Sequence, residues 1–234
     1  MKRATLWLSS IAITALIAGA SAQTWNETAD GGGDALELPL GAQATIGTGP
    51  LTSITGNIDG SNDLGDSFLI YISDPLNFSA STLGGATWDT QLILFAPDGR
   101  GIILNDDNPL GSGLQSYLGK DAVVYVGGSP TAWADWAPDN LSPGLYVLHI
   151  GRWSRDPVNG DNNRLWNSSP YDQQRTPDGP GRSNPYVASW TGGTGSAGDY
   201  TITLTGVEYV PEPASMLVLG AGLAGLLGLR RRTR

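Results

Sequence analysis

Between residues 23 and 210 the chain never sustains a helical period; short β-branched and aromatic runs are instead cut by Gly or Pro about every ten residues. The runs are Ser67-Phe68-Leu69-Ile70-Tyr71-Ile72, Thr90-Gln91-Leu92-Ile93-Leu94-Phe95, Ile102-Ile103-Leu104, Ala122-Val123-Val124-Tyr125-Val126, Gly144-Leu145-Tyr146-Val147-Leu148-His149-Ile150 and Tyr200-Thr201-Ile202-Thr203-Leu204-Thr205. Ala96-Pro97-Asp98-Gly99 has the Pro and Gly placement of a type I turn, so the second and third runs are expected to form a hairpin. Strands of this length bury themselves most readily in two packed layers, and the expected fold is all-β, a two-sheet antiparallel sandwich.

Helix-forming apolar runs occur only at the two ends. Lys2 and Arg3, then Leu6 to Ala20, then Ala20-Ser21-Ala22 read as the charged, apolar and cleavage regions of a signal peptide. Signal peptidase is expected to recognise Ala20 and Ala22 and to cut once, leaving a mature start near Gln23. At the other end Pro211, Glu212 and Pro213 precede Ala214 to Leu229, sixteen uncharged residues, and the cluster Arg230, Arg231, Arg232 and Arg234. As a transmembrane helix that run is about 24 Å long at roughly 1.5 Å per residue, a marginal span. The arginines hold its far end on the cytoplasmic side, which places the body outside. The prolines stop the helix and keep Val210 to Ala214 extended, as a protease cleft requires.

Pro-Glu-Pro, apolar helix and terminal arginines together resemble the PEP-CTERM sorting signal of Gram-negative bacteria. The resemblance implies an exosortase as processing partner, transient residence in the inner membrane, and a destination at the cell surface or in the extracellular matrix. The plainer alternative is a C-terminal anchor preceded by a chance Pro-Glu-Pro.

Without Lys2, Arg3, Arg230, Arg231, Arg232, Arg234 and Glu212, the body keeps seven bases and twenty-one acids, a net charge of −14 against −9 for the whole chain. Such a surface argues against a nucleic-acid partner and is compatible with cation binding or contact with a hydrated polymer such as exopolysaccharide. The sequence contains no cysteine, so disulfides, thiol catalysis and cysteine-held metals are excluded.

From Arg152 to Gly198 the strand rhythm gives way to Asp, Asn, Pro, Gly and Arg, with Trp153, Trp166, Tyr171, Tyr186 and Trp190 interspersed. So long a loop is either a surface decoration pinned down by its aromatics or a platform for stacking sugar rings. The segments Asp63-Leu64-Gly65-Asp66-Ser67-Phe68, Asp89 to Phe95, Asn105-Asp106-Asp107, Ser142 to Val147 and Gly198 to Gly206 resemble, in that order, the bacterial pre-peptidase C-terminal domain and its relatives in PEP-CTERM proteins. The resemblance covers about residues 55–207 and implies a jelly-roll-like sandwich, sometimes with structural calcium. On this reading 1–22 is the signal peptide, 23–54 an N-terminal extension, 55–207 the sandwich with its loop 152–198, and 210–234 the sorting signal. Gly111 to Asn140 and the loop after Arg152 depart from the pattern.

Enzyme signatures are weak. The single histidine, His149, lies within a strand, where a surface or half-buried structural place is expected; there is no Gly-x-Ser-x-Gly elbow. Gly193 to Gly198 and Gly220 to Gly225 match Gly-x-Gly-x-x-Gly, but one leads into a strand and the other lies in the apolar tail, so neither binds a dinucleotide. Carboxylates remain. Asp59 to Asp66 carries three acids in a Gly-containing loop, and Asn105-Asp106-Asp107-Asn108 ends a strand with four oxygen-bearing side chains. Oxygen ligands suit calcium, with Asp63, Asp66, Asp106 and Asp107 as candidate ligands to a shared ion. Against this, the first loop fails the EF-hand spacing, and Asx side chains form turns unaided. The expectation is a non-enzymatic exported protein, structural or adhesive in exopolysaccharide; the alternative is a secreted, glycan-active hydrolase with paired acids.

Overall fold

The computed structural model describes residues 23–193 and 195–212. Sixteen strands occur there, numbered below in chain order. One sheet has five, in the order β1 (Thr24–Asn26), β3 (Ser53–Asn57), β15 (Asp199–Thr205), β5 (Ser79–Ser81) and β8 (Tyr117–Gly119). The larger sheet runs β10 (Ser129–Thr131), β9 (Val124–Val126), β13 (Gln174–Arg175), β7 (Gly101–Asn105), β6 (Thr90–Phe95), β11 (Gly144–Arg152), β4 (Gly65–Ile72) and β16 (Val207–Glu208), with β2 (Gln43–Ala44) also on β4. The described residues are all-β apart from one α-helix and one 3₁₀ turn, Pro39–Gly41.

Side-chain alternation makes these sheets a sandwich. Phe68, Ile70 and Ile72 of β4, Leu92 and Leu94 of β6, and Tyr146, Leu148 and Ile150 of β11 form one core with Ile54, Ala80, Leu118, Tyr200, Ile202 and Leu204 of the smaller sheet. Each fully buried Leu, Ile or Phe contributes roughly 1.5–3 kcal/mol relative to exposure. The expected hairpin is present: β6 pairs antiparallel with β7, and the Gly99 N–H donates to Ala96 O at 2.9 Å. Gly99 has φ +83, which a non-glycine residue adopts only at a cost.

Three features depart from the sequence reading. The pairing is mixed, because β1 runs parallel to β3, β2 to β4 and β13 to β9. Residues 23–54 thereby supply strands to both sheets, and Trp25 is buried, its Nε1–H donating to Gln43 Oε1 at 2.7 Å. A helix, α1 (Trp133–Asn140), lies where no helical period was read. Its eight residues give about two turns, too few for a period to show, and Pro138 interrupts them. Trp133 and Trp136 bury its inner side, with Trp133 stacked on Phe78 at 6.1 Å.

The third departure concerns the larger sheet, which is covered on both faces. Its outer side chains Ile93, Phe95, Leu104 and Val147 pack against Leu165, Trp166 and Val187 from the segment after Arg152. That segment carries its own antiparallel pair, β12 (Arg155–Val158) with β14 (Ser189–Gly192). Trp166 and Trp190 meet the Phe95 ring edge-on at 6.3 and 6.1 Å, and the Trp166 Nε1–H donates to Arg175 O at 2.9 Å. The long loop is thus a third layer pinned by its aromatics, which explains why all six residues of β6 are buried.

No helix among the described residues is long and apolar enough to cross a membrane. The expected signal helix with Ala20 and Ala22, the expected transmembrane helix 214–229, Pro213, and Arg230, Arg231 and Arg232 lie outside the described residues.

Candidate functional site

Strand register separates the acids singled out in the sequence. Asp66 pairs across to Ile150, Ile150 to Leu92, and Leu92 to Asn105, so Asp66 and Asn105 lie at one end of the sheet, three strand spacings apart. At about 4.8 Å per spacing that is about 14 Å, far beyond a single coordination sphere. Asp66 and Asp106, by contrast, face opposite ways. Asp66 continues the inward series of Phe68 and Ile70 and accepts a hydrogen bond from Tyr200 Oη at 2.7 Å across the sandwich. Asn105 points inward, accepting from the Tyr117 N–H at 2.8 Å, which leaves Asp106 on the outer face under the third layer. Asp63 therefore groups with Asp66, and Asp107 with Asp106.

The inner group gathers acids that are distant in sequence. One carboxylate oxygen each from Glu27, Asp34 and Asp66 lies within 4.8 Å of the others, and among the described residues no other trio of His, Cys, Asp or Glu is so placed. Glu27 is held by N–H groups of Ala35 at 2.9 Å and Asn57 at 3.1 Å. Gly56 is required beside them, since a Cβ there would overlap Glu27 Oε2 and Tyr200 Oη. Asp66 is fully buried and its Oδ1 has no partner. Burial, then the neighbouring Asp63 and Glu27 charges, push its carboxyl up to about 9. Burial and the Asp34 charge raise Asp63 to about 6. Asp59, by contrast, is a turn former: its Oδ1 accepts from the N–H groups of Ser61, Asn62 and Asp63, which lowers it to about 2.

The outer group belongs to a cavity of about 150 Å³ between the sheet and the third layer. Gln91, Asp106, Asp156, Arg164 and Arg175 line it, together with Trp153 and Tyr171, each a little over a third exposed. Asp106 Oδ1 and Gln91 Oε1 are buried without a partner, as is Asp89 Oδ1 nearby. Burial, then the charges of Asp89, Asp107 and Asp156, raise Asp106 to about 8 against the opposing pull of Arg175. The two arginines are already engaged: Arg164 pairs with Asp156 at 3.2 Å and Arg175 with Asp178 at 2.6 Å.

His149 is neither exposed nor half-buried. It is completely buried on the outer face, stacked on Trp190 at 4.2 Å, and burial followed by the Arg155 charge lowers it to about 3. The Ser67 hydroxyl donates to Glu37 O, so Nδ1–H of a neutral ring donates to Ser67 Oγ at 3.1 Å. Gly65 and Gly151, opposite one another in the sheet, make room for the ring; a Cβ on either would come within 3 Å of it.

The sequence reading missed Glu27 and Asp34, isolated acids in what looked like an extension, and Gln91 and Asp156, polar positions inside strands. The alternation of β6 does place Gln91 on the same face as Ile93 and Phe95. Only the loop's burial of that face makes it notable.

Residues 210–232 match the PEP-CTERM protein-sorting motif. That motif marks an exported, envelope-sorted protein processed by an exosortase. No curated protein and no solved structure matches the chain.

Proposed function

We propose that this is a non-enzymatic exported protein, released from a transient inner-membrane anchor to the cell surface or extracellular matrix, where its sandwich has a structural or adhesive role in exopolysaccharide. The sorting motif at 210–232, attached to a folded acidic body, is the observation that carries the reading. The buried, neutral His149 supports it, because a ring with no exposed surface, stacked on Trp190, is out of reach of a substrate. We infer that the body is a relative of the pre-peptidase C-terminal domain. The structural calcium that this resemblance implies fits the inner group, whose donors are all hard oxygens and include Asp66, buried with an unpartnered Oδ1. Glu27, Asp34 and Asp66 would hold it, with Asp63 adjacent, and the ion would tie residues 27–34 to β4.

Mass spectrometry of the exported protein tests the sorting step. Loss of the residues after Pro211-Glu212-Pro213, with retention of a Glu212→Ala variant in the inner membrane, is expected. An exported form still ending in Arg234 overturns it.

One observation favours a second reading, a glycan-active hydrolase: Asp106 and Asp156 line the same cavity, and Asp106 keeps its proton up to about 8. Turnover of glycans by the purified protein, abolished by Asp106→Asn, would establish it.

A further inference from the structure

The cavity beneath the third layer contains polar groups that the fold leaves unsatisfied. A buried acceptor without a donor costs about 1–3 kcal/mol, so native proteins seldom keep one without a reason. Here Asp106, 4% exposed, and Gln91, 3% exposed, each present an unpartnered oxygen and both line the cavity. Arg175, another lining residue, has an unpartnered Nε–H.

We propose that this cavity is a binding site for one uncharged pyranose ring, a terminal or branch sugar of a polysaccharide. Size is the first argument: about 150 Å³ suits a single six-membered ring rather than an extended chain. Acceptor chemistry is the second, since sugar hydroxyls donate to Asp106 Oδ1 and Gln91 Oε1 and can accept from Arg175. Trp153 and Tyr171 are the third; their part-exposed rings offer apolar surface to the C–H face of a sugar. Charge selects the class. Arg164 and Arg175 are neutralised by Asp156 and Asp178, so an acidic sugar would bring its carboxylate to a site with no free cation among these residues.

A bare cation fits less well. The carboxylates of Asp89, Asp106 and Asp107 do not converge as those of Glu27, Asp34 and Asp66 do. The cavity also has aromatic lining, which a hard cation does not need.

The proposal rests on the adhesive reading, and affinity electrophoresis of the mature protein separates the two. Gels containing dextran, galactomannan or xyloglucan serve as neutral probes, and alginate as the charged one. Retardation by at least one neutral probe, weakened about tenfold or more by Trp153→Ala and by Asp106→Asn, is the expected result. Asp106→Asn keeps the side-chain volume, and circular dichroism of both variants establishes that they fold. Retardation that both folded variants retain overturns the cavity as the site while leaving the adhesive role standing. Retardation by alginate alone overturns the uncharged class. No retardation by any probe overturns the adhesive reading and the site with it.

Discussion

Asp66 and Asp106 are buried at the same end of the same sheet, yet on opposite faces, and their surroundings differ in kind. Asp66 looks into the sandwich, where Tyr200 donates to one oxygen and the carboxylates of Glu27 and Asp34 lie close by. Asp106 looks outward into a cavity with amide, guanidinium and aromatic lining. A tight cluster of oxygens suits an ion; a roomier mixed lining suits a polyol. One residue of strand offset and three strand spacings thus separate two chemistries that the sequence presents as similar acidic loops.

The largest expected effects concern whether the two faces are equally part of the fold. Phe68→Ala opens a cavity in the inner core and Phe95→Ala one beneath Trp166 and Trp190; each should cost about 3–5 kcal/mol in denaturant unfolding. A Phe95→Ala cost below about 1 kcal/mol would make the third layer a loose cover and break the comparison.

Calcium should sharpen it next. If the inner group binds calcium only when folded, a concentration about a hundred times the dissociation constant adds about 2.7 kcal/mol, seen as a raised Tm that a chelator reverses. Magnesium should do less, because it demands a stricter octahedron. Asp66→Asn should abolish the shift, whereas Asp106→Asn with Asp107→Asn should leave it intact. A shift abolished by the Asp106 and Asp107 pair instead would move the ion to the outer face.

These two tests also mark what the sequence could reveal. The runs at 67–72, 90–95, 102–104, 144–150 and 200–205 were legible because alternation and turn chemistry are local. Asp66 and Asp106 were singled out too, but as ligands to one shared ion, which the strand register separates. The partnership of Asp66 with Glu27 was not legible, since it requires β1 to lie parallel to β3, a pairing across some thirty residues with no turn to announce it. The third layer was legible only as a loop that its aromatics could pin to the sandwich; its Gly, Pro and Asn gave no sign of which face it covers. His149 followed the sheet's alternation to the outer face, but its burial depends on that same unseen layer.

Titration gives a smaller effect. Asp106 keeps its proton in the folded state up to about 8, while an unfolded carboxyl releases it near the ordinary value of 3.8. The folded state then binds more protons across that window, so the stability associated with Asp106 is complete below about pH 4 and declines as pH rises toward 8. Asp89, Asp107, Asp156 and Arg175 are the charged groups that act on it. In the presence of a chelator, Tm should fall through this window. Asp106→Asn should make the fall shallower, because the amide carries no charge at any pH. An equally steep decline in the variant would assign the dependence to other acids.

The smallest expected change is in stability on Trp153→Ala, and its smallness is the informative part. Trp166 and Trp153 belong to the same layer, but Trp166 is 1% exposed, hydrogen-bonded through Nε1 and set against Phe95, whereas Trp153 is 36% exposed beside the cavity. Trp166→Ala should therefore cost about 3–5 kcal/mol, and Trp153→Ala distinctly less, about 1 kcal/mol. The ranking reverses for sugar binding, where Trp153 is expected to matter and the fold is not at issue. A large aromatic kept exposed at a cavity, with little stability resting on it, is the pattern of a residue retained for contact. If Trp153→Ala destabilises the protein as much as Trp166→Ala does, Trp153 is another pin of the third layer and the comparison between the two tryptophans fails.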